Sequence, residues 1–186
     1  MTKQTKDKTP VQRLLVPNYI LATGKILTVI SPFLASRFAA KLFLTPFKYK
    51  LPEREKKMDR ESKQEKIVLP HYQREIISYQ YGSSPRKILL AHGWSGRGTQ
   101  LAVMAEELLK AGFAVVSFDA PAHGKAPGKM SMMPHFIEAI EVLEKKYAPF
   151  EAIIGHSLGG MSSLKAVSSG LPVKKFVIIF TSNSIA

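Results

Sequence analysis

The hexapeptide Gly155-His156-Ser157-Leu158-Gly159-Gly160 constrains this chain more than any other stretch. It follows a short apolar run, Ala152-Ile153-Ile154, and precedes a helix-like segment from Met161 to Ser168. A strand that passes directly into a helix must reverse within very few residues. Gly-x-Ser-x-Gly does this while leaving the serine hydroxyl presented outward. Glycine at the flanks removes side chains that would collide in so sharp a turn, and the serine between them is held under strain. Ser157 is therefore the candidate nucleophile, with Gly155 and Gly159 as the turn glycines. A plain glycine-rich turn with an ordinary serine would have the same six residues, so the rest of the chain has to decide.

Composition narrows the choice. The chain has 186 residues, 45% hydrophobic and 22% charged, enough for one core and an appendage. It has no cysteine, which excludes disulfides, a thiol nucleophile and a thiolate metal site, and leaves the compartment open with a lean to the cytoplasm. The five histidines, His71, His92, His123, His135 and His156, include no pair at i, i+4, so no metal site is expected. The net charge of +13 is uneven. Residues 1–66 hold 15 Lys/Arg against 6 Asp/Glu, and residues 67–186 hold 12 against 8. The basic character belongs to the N-terminal third, and no zinc-finger spacing or aromatic-interleaved basic stripe suggests a nucleic-acid reader.

Along the chain, residues 1–10 form a charged start, and Leu14 to Ser36 is mostly apolar with Lys25 as its only charge. Pro17, Gly24 and Pro32 interrupt that run, so it fits neither a membrane span nor a signal peptide. It fits two helices: one from Asn18 to Ile30, and one capped by Ser31 with Pro32 in its first position. Their apolar faces either dock on the domain that follows or rest on a membrane surface through residues 14–44. Lys48 to Lys66 is dense in both charges and reads as a solvated linker or exposed helix, which places a boundary between a basic helical extension, 1–66, and a domain, 67–186.

From Ile67 the pattern changes. Ile67-Val68-Leu69 and Glu75 to Tyr81 are two strand candidates with a turn between them. Lys87 to Ala91, Ala114 to Phe118, Ala152 to Ile154 and Phe176 to Phe180 are further strands. Helices are expected over Thr99 to Ala111, Met133 to Lys146, and from the hexapeptide to Ser169. Alternating strands and helices predict an α/β sheet with parallel strands.

The loop His92-Gly93-Trp94-Ser95-Gly96-Arg97-Gly98 leaves the third strand. Acyl transfer needs two backbone N–H donors for the developing oxyanion. One comes from the residue after the nucleophile, here Leu158, and the other from the loop after the third strand, here Trp94, with His92 and Gly93 turning its N–H toward the site. The loop is not a phosphate loop, because Thr99 and Gln100 stand where lysine and a hydroxyl residue would be needed.

The ordered pieces His92-Gly93-Trp94, Asp119-Ala-Pro-Ala-His-Gly124 and Gly155 to Gly160 resemble the first two-thirds of an α/β-hydrolase domain. Phe43-Leu44-Thr45-Pro46 resembles an extension seen on some bacterial members. The resemblance implies a mostly parallel sheet with helices on both faces, in its first six strands only, preceded by N-terminal helices. It implies a serine hydrolase acting on a small-molecule carboxylic ester or thioester, with Ser157 as nucleophile, Trp94 and Leu158 as oxyanion hole, and no metal or cofactor. Asp119 and His123 would shape the loop after the fourth strand, and His156 would be a packing neighbour of the nucleophile. One departure is plain: after Ser157 the sequence contains no Asp, Glu or His, so the family's triad acid and histidine are not present. The expectation is a truncated hydrolase domain with little or no activity of its own. The alternative is a non-catalytic or membrane-associated interaction protein that works through its basic N-terminal helices.

Overall fold

The computed structural model describes residues 17–180, which divide into two compact units between Leu42 and Phe43. In the first, α1 (Asn18–Ile30) and α2 (Pro32–Phe43, its last residue belonging to the second unit) are joined at Ser31. Ser31 closes α1 by donating its N–H to Leu27 O, and it opens α2 by accepting the Leu34 N–H on its Oγ at 3.5 Å. The two expected helices and the Ser31-Pro32 start are found as expected. Neither helix holds a buried residue.

The second unit is a six-stranded sheet in the order β1-β2-β4-β3-β5-β6. The strands are β1 (Lys63–Leu69), β2 (Arg74–Tyr81), β3 (Lys87–Ala91), β4 (Ala114–Asp119), β5 (Phe150–His156) and β6 (Lys175–Ile179). β1 and β2 pair antiparallel, as do β2 and β4; the remaining pairs are parallel. Successive residues of a strand face opposite sides, so β3 supplies two layers at once. Leu89 packs with Phe118, Ile153 and, from α5 (Met133–Tyr147), Phe136, Ile140 and Leu143. Ile88 and Leu90 pack with Val115 and, from α4 (Ala102–Lys110), Ala102 and Ala105. Ala166 of α6 (Leu158–Ser168) joins the first cluster, so helices cover both faces.

The solvated-linker reading of Lys48 to Lys66 does not hold. Residues Glu53–Glu61 form α3, and Met58 is fully buried in the second cluster. Glu55, one turn earlier on the same face, is 3% exposed; it accepts the Thr99 hydroxyl at 2.7 Å and lies 3.5 Å from Arg97 Nε. A run of charges hid one apolar anchor and one paired carboxylate. The boundary expected between residues 66 and 67 falls inside β1, whose residues Lys63 to Lys66 pair with Gln80 to Ile77. The exposed side chains of Lys63, Gln64 and Lys66 suit an edge strand, which charged residues protect from pairing with other chains. α4 begins at Ala102 rather than Thr99: the Gln100 and Ala102 amides donate to Arg97 O and Thr99 O in tight turns, and the first i→i+4 bond runs from Ala105 N to Leu101 O. At the far edge, among the described residues, lies β6, with Val177 46% exposed.

Candidate active site

Ser157 is the single residue between β5 and α6. Its backbone sits at φ 50, ψ −117, a left-handed conformation that costs a non-glycine residue about 1–3 kcal/mol. The packing around it holds this strain in place. A Cβ on Gly155 would overlap the backbone of Gly160, and a Cβ on Gly159 would overlap the carbonyl oxygens of Ala91 and His92. Both atoms belong to main chain that cannot move aside, so glycine is required at both positions. The Ser157 N–H donates to Ile179 O at 3.0 Å, which ties the turn to the end of β6. Ser157 itself is half-buried and its side chain caps no helix N–H. Leu158 is the first residue of α6, so its N–H belongs to the first helical turn, where amides lack intrahelical acceptors.

β3 and β5 are parallel neighbours, with Ala91 opposite Gly155, so the loop after β3 and the turn after β5 leave the sheet side by side. Gly93 lies directly under the His156 ring: a Cβ there would come within 2.7 Å of His156 Nδ1. Gly93 also donates its N–H to Gln100 Oε1 at 3.1 Å, and its carbonyl accepts from Gly96 N at 3.0 Å. The resulting tight turn, with Ser95 at φ 56, places Trp94 at its outer corner.

Beneath this turn is an aromatic layer. His92 is buried against Phe118, Phe136 and His123, and the Trp94 ring meets His123 edge-on at 5.1 Å. His92 Nε2 accepts the Ala120 N–H at 3.1 Å, so the ring proton is on Nδ1, which donates to Gly93 O at 2.7 Å. Burial pushes the His92 pKa down to about 4, and burial together with the nearby His92 ring pushes the His123 pKa down to about 3. His92 is thus a neutral strut joining the loops after β3 and β4, with both nitrogens engaged. His123 Nδ1 faces Pro121 O at 3.0 Å, and its Nε2 is buried without a hydrogen-bond partner, as is His156 Nδ1.

A second strut is Asp119. It accepts from Gly98 N at 2.6 Å, Lys125 N at 2.7 Å and the Tyr79 hydroxyl at 2.8 Å. Burial raises its pKa, against the lowering effect of these three donors. The structure therefore brings His92, Gly93, Gly155, His156, Ser157, Leu158 and Gly159 together at the carboxyl ends of β3 and β5, with Trp94 beside them.

Some neighbours were not visible in the sequence. The Phe43 ring stacks on Trp94 at 6.4 Å, Leu44 O accepts from Ser131 N, and Phe47 N donates to Ser95 Oγ at 3.0 Å. This segment reads as the end of a helical appendage, and only its Phe-Leu-Thr-Pro signature pointed further. In the sequence Gln100 stands out only as a residue that is not the hydroxyl a phosphate loop needs, whereas its side chain holds the Gly93 amide. A cavity of about 210 Å3 is lined by Lys48, Tyr49, Asp59, Arg97, Asp119 and Lys125; Ser157, Trp94 and Leu158 do not border it. Among the described residues no group of three or more carboxylates and histidines is placed to hold a metal ion.

A mostly parallel sheet flanked by helices, with a strained serine in the turn after β5, has α/β-hydrolase architecture. Residues 88–182 match the sequence model of the Alpha/beta hydrolase family, and the chain belongs to that family. Solved structures share the fold. An esterase from Pyrococcus furiosus is 21% identical with a TM-score of 0.55, covering 68% of this chain and 54% of its own. An esterase from Exiguobacterium antarcticum is 20% identical with a TM-score of 0.53, covering 60% and 43%. An epoxide hydrolase from Vigna radiata is 13% identical with a TM-score of 0.55, covering 64% and 40%. The chain thus spans about half the length of the solved structures it matches. None of the curated proteins matches it by sequence.

Proposed function

We propose that this chain is the nucleophile-bearing part of a serine hydrolase that cleaves a carboxylic ester or thioester. The observation that carries this reading is the backbone of Ser157, held at φ 50 between two glycines that admit no Cβ. Evolution retains such strain where a side chain must be presented to chemistry. Ser157 Oγ attacks the acyl carbon, the C–O or C–S bond to the leaving group breaks, and an acyl-enzyme forms. Water then attacks the same carbon and returns the serine hydroxyl. The amides of Leu158 and Trp94 stabilise the oxyanion in both steps.

The attacking hydroxyl must lose its proton to a base. His92 does not fit that role, because both ring nitrogens are engaged and burial keeps it neutral. No Asp, Glu or His follows Ser157 in the sequence. In this reading the base histidine and its orienting acid come from beyond residue 186, and the chain alone turns over ester slowly or not at all. Removing triad members elsewhere leaves only the modest rate gain of the oxyanion hole and binding. A serine at the turn also argues against the epoxide-opening chemistry of relatives that place aspartate there.

The test is labelling by a fluorophosphonate probe. Weak labelling of the 186-residue chain, strong labelling of a longer form that adds an acid and a histidine, and loss of both on Ser157→Ala are expected. Labelling that survives Ser157→Ala would sink the nucleophile assignment. Strong labelling of the short chain would sink the external base.

A further inference from the structure

We propose that α1 and α2 form a docking surface for an anionic lipid bilayer and lie in the plane of its interface. This goes beyond the Ser157 chemistry and does not depend on it. The first observation is exposure. Val29 is 88% exposed, Tyr19 71%, Ile30 69% and Phe33 67%, and no residue of either helix is buried. Large apolar side chains gathered on one short segment mark an interaction site rather than ordinary surface scatter.

The second observation is how the polar groups are spent. Thr23, Thr28 and Ser36 are hydroxyl residues inside the helices, and each donates to the carbonyl four residues earlier, at 2.8, 2.8 and 2.9 Å. These donors need no water, so the helices can leave it without an unsatisfied hydroxyl. The remaining polar character is cationic. Within the two helices the only charged residues are Lys25, Arg37 and Lys41, and the sequence of residues 1–42 carries a net charge of +6. In α2, Leu34, Phe38 and Leu42 recur at i, i+4 and i+8, with Arg37 and Lys41 on an adjoining stripe. The Arg37 guanidinium lies 5.7 Å from the Phe33 ring centroid, which keeps it close to the apolar surface.

Length decides the mode. α1 has 13 residues, about 20 Å at 1.5 Å per residue, against a hydrocarbon core of about 30 Å. No described helix is long and apolar enough to cross a membrane. In-plane seating sinks the apolar side chains about 5–10 Å and leaves lysine and arginine among the headgroups. Charge also selects the occupant. A second copy on the same face would set one net-positive surface against another, whereas anionic lipid complements it.

The test is flotation of the 186-residue chain with vesicles of phosphatidylglycerol and phosphatidylcholine in equal parts, and with phosphatidylcholine alone. Binding to the anionic vesicles, weakened by salt, is expected. Arg37→Gln with Lys41→Gln should lower the partition about 30-fold, at about 1 kcal/mol per lost cation. Val29→Ser with Phe33→Ser should also lower it. Neither pair removes a buried side chain, and an unchanged thermal melt for each verifies the fold. Equal binding to neutral vesicles, or no binding to either, would overturn the proposal. So would a concentration-dependent dimer that Val29→Ser with Phe33→Ser abolishes, in the absence of vesicle binding.

Discussion

The backbone N–H of Ala120 donates to Nε2 of His92 at 3.1 Å, and this contact fixes the histidine as a neutral, Nδ1-protonated strut between two loops. Protonating Nε2 would break the contact and bury a charge. His92 therefore resists ionisation in the fold but not in the unfolded chain.

From this follows a pH dependence of stability. The folded pKa, about 4, lies below the ordinary value of 6.5, so the stabilisation is complete above pH 6.5 and is lost as pH falls toward 4. For His92 the loss amounts to about 3 kcal/mol, and His123, also lowered, acts in the same direction. Urea unfolding across this window should show it, with a shallower slope for His92→Asn. A slope identical in the two proteins would show that His92 plays no part.

Gly155→Ala should destabilise by about 3 kcal/mol, because the new methyl meets the Gly160 main chain. Gly24→Ala, with nothing within 4 Å, should instead stabilise α1 by up to about 1 kcal/mol. Comparative thermal melts and helicity measurements check the contrast.

Relief of the Ser157 strain can be read separately from its chemistry. Ser157→Gly accepts φ 50 freely and should raise stability by about 1 kcal/mol, whereas Ser157→Ala keeps the strain and gains nothing. If calorimetry finds the two variants equally stable, the turn is not strained.

Met58→Ala should cost about 3 kcal/mol, since the side chain is fully buried between α3 and the sheet. A solvated linker would predict no change. Denaturant midpoints decide between the two.

Asp119→Ala should cost about 4 kcal/mol, because it strands the N–H groups of Gly98 and Lys125 and the Tyr79 hydroxyl. Amide exchange at Gly98 and Lys125 should speed up together, since one carboxylate holds both loops.

Much of the fold was legible in the chain because its signals are local. The two N-terminal helices, the six strands and the turn at Ser157 rest on periodicity, caps and glycine placement within a few residues. Glycine at 155 and 159 is readable because steric conflict in a one-residue turn leaves no substitute. What stayed hidden depends on partners distant in sequence. Glu55 reads as solvated because the hydroxyl it accepts from belongs to Thr99, 44 residues away. Phe43 read as the end of an appendage, although its ring stacks on Trp94.

By itself, then, the sequence determined an α/β sheet and a serine in a strand-to-helix turn, since backbone sterics and hydrophobic periodicity act between near neighbours. Only the tertiary structure decided that Lys48 to Lys66 holds a packed helix and the start of an edge strand. The same is true of the tautomer and burial of His92, and of the tie that Asp119 makes between the loops after β3 and β4. Those outcomes turn on desolvation and hydrogen bonds across the sheet, which exist only once distant segments have been brought into contact.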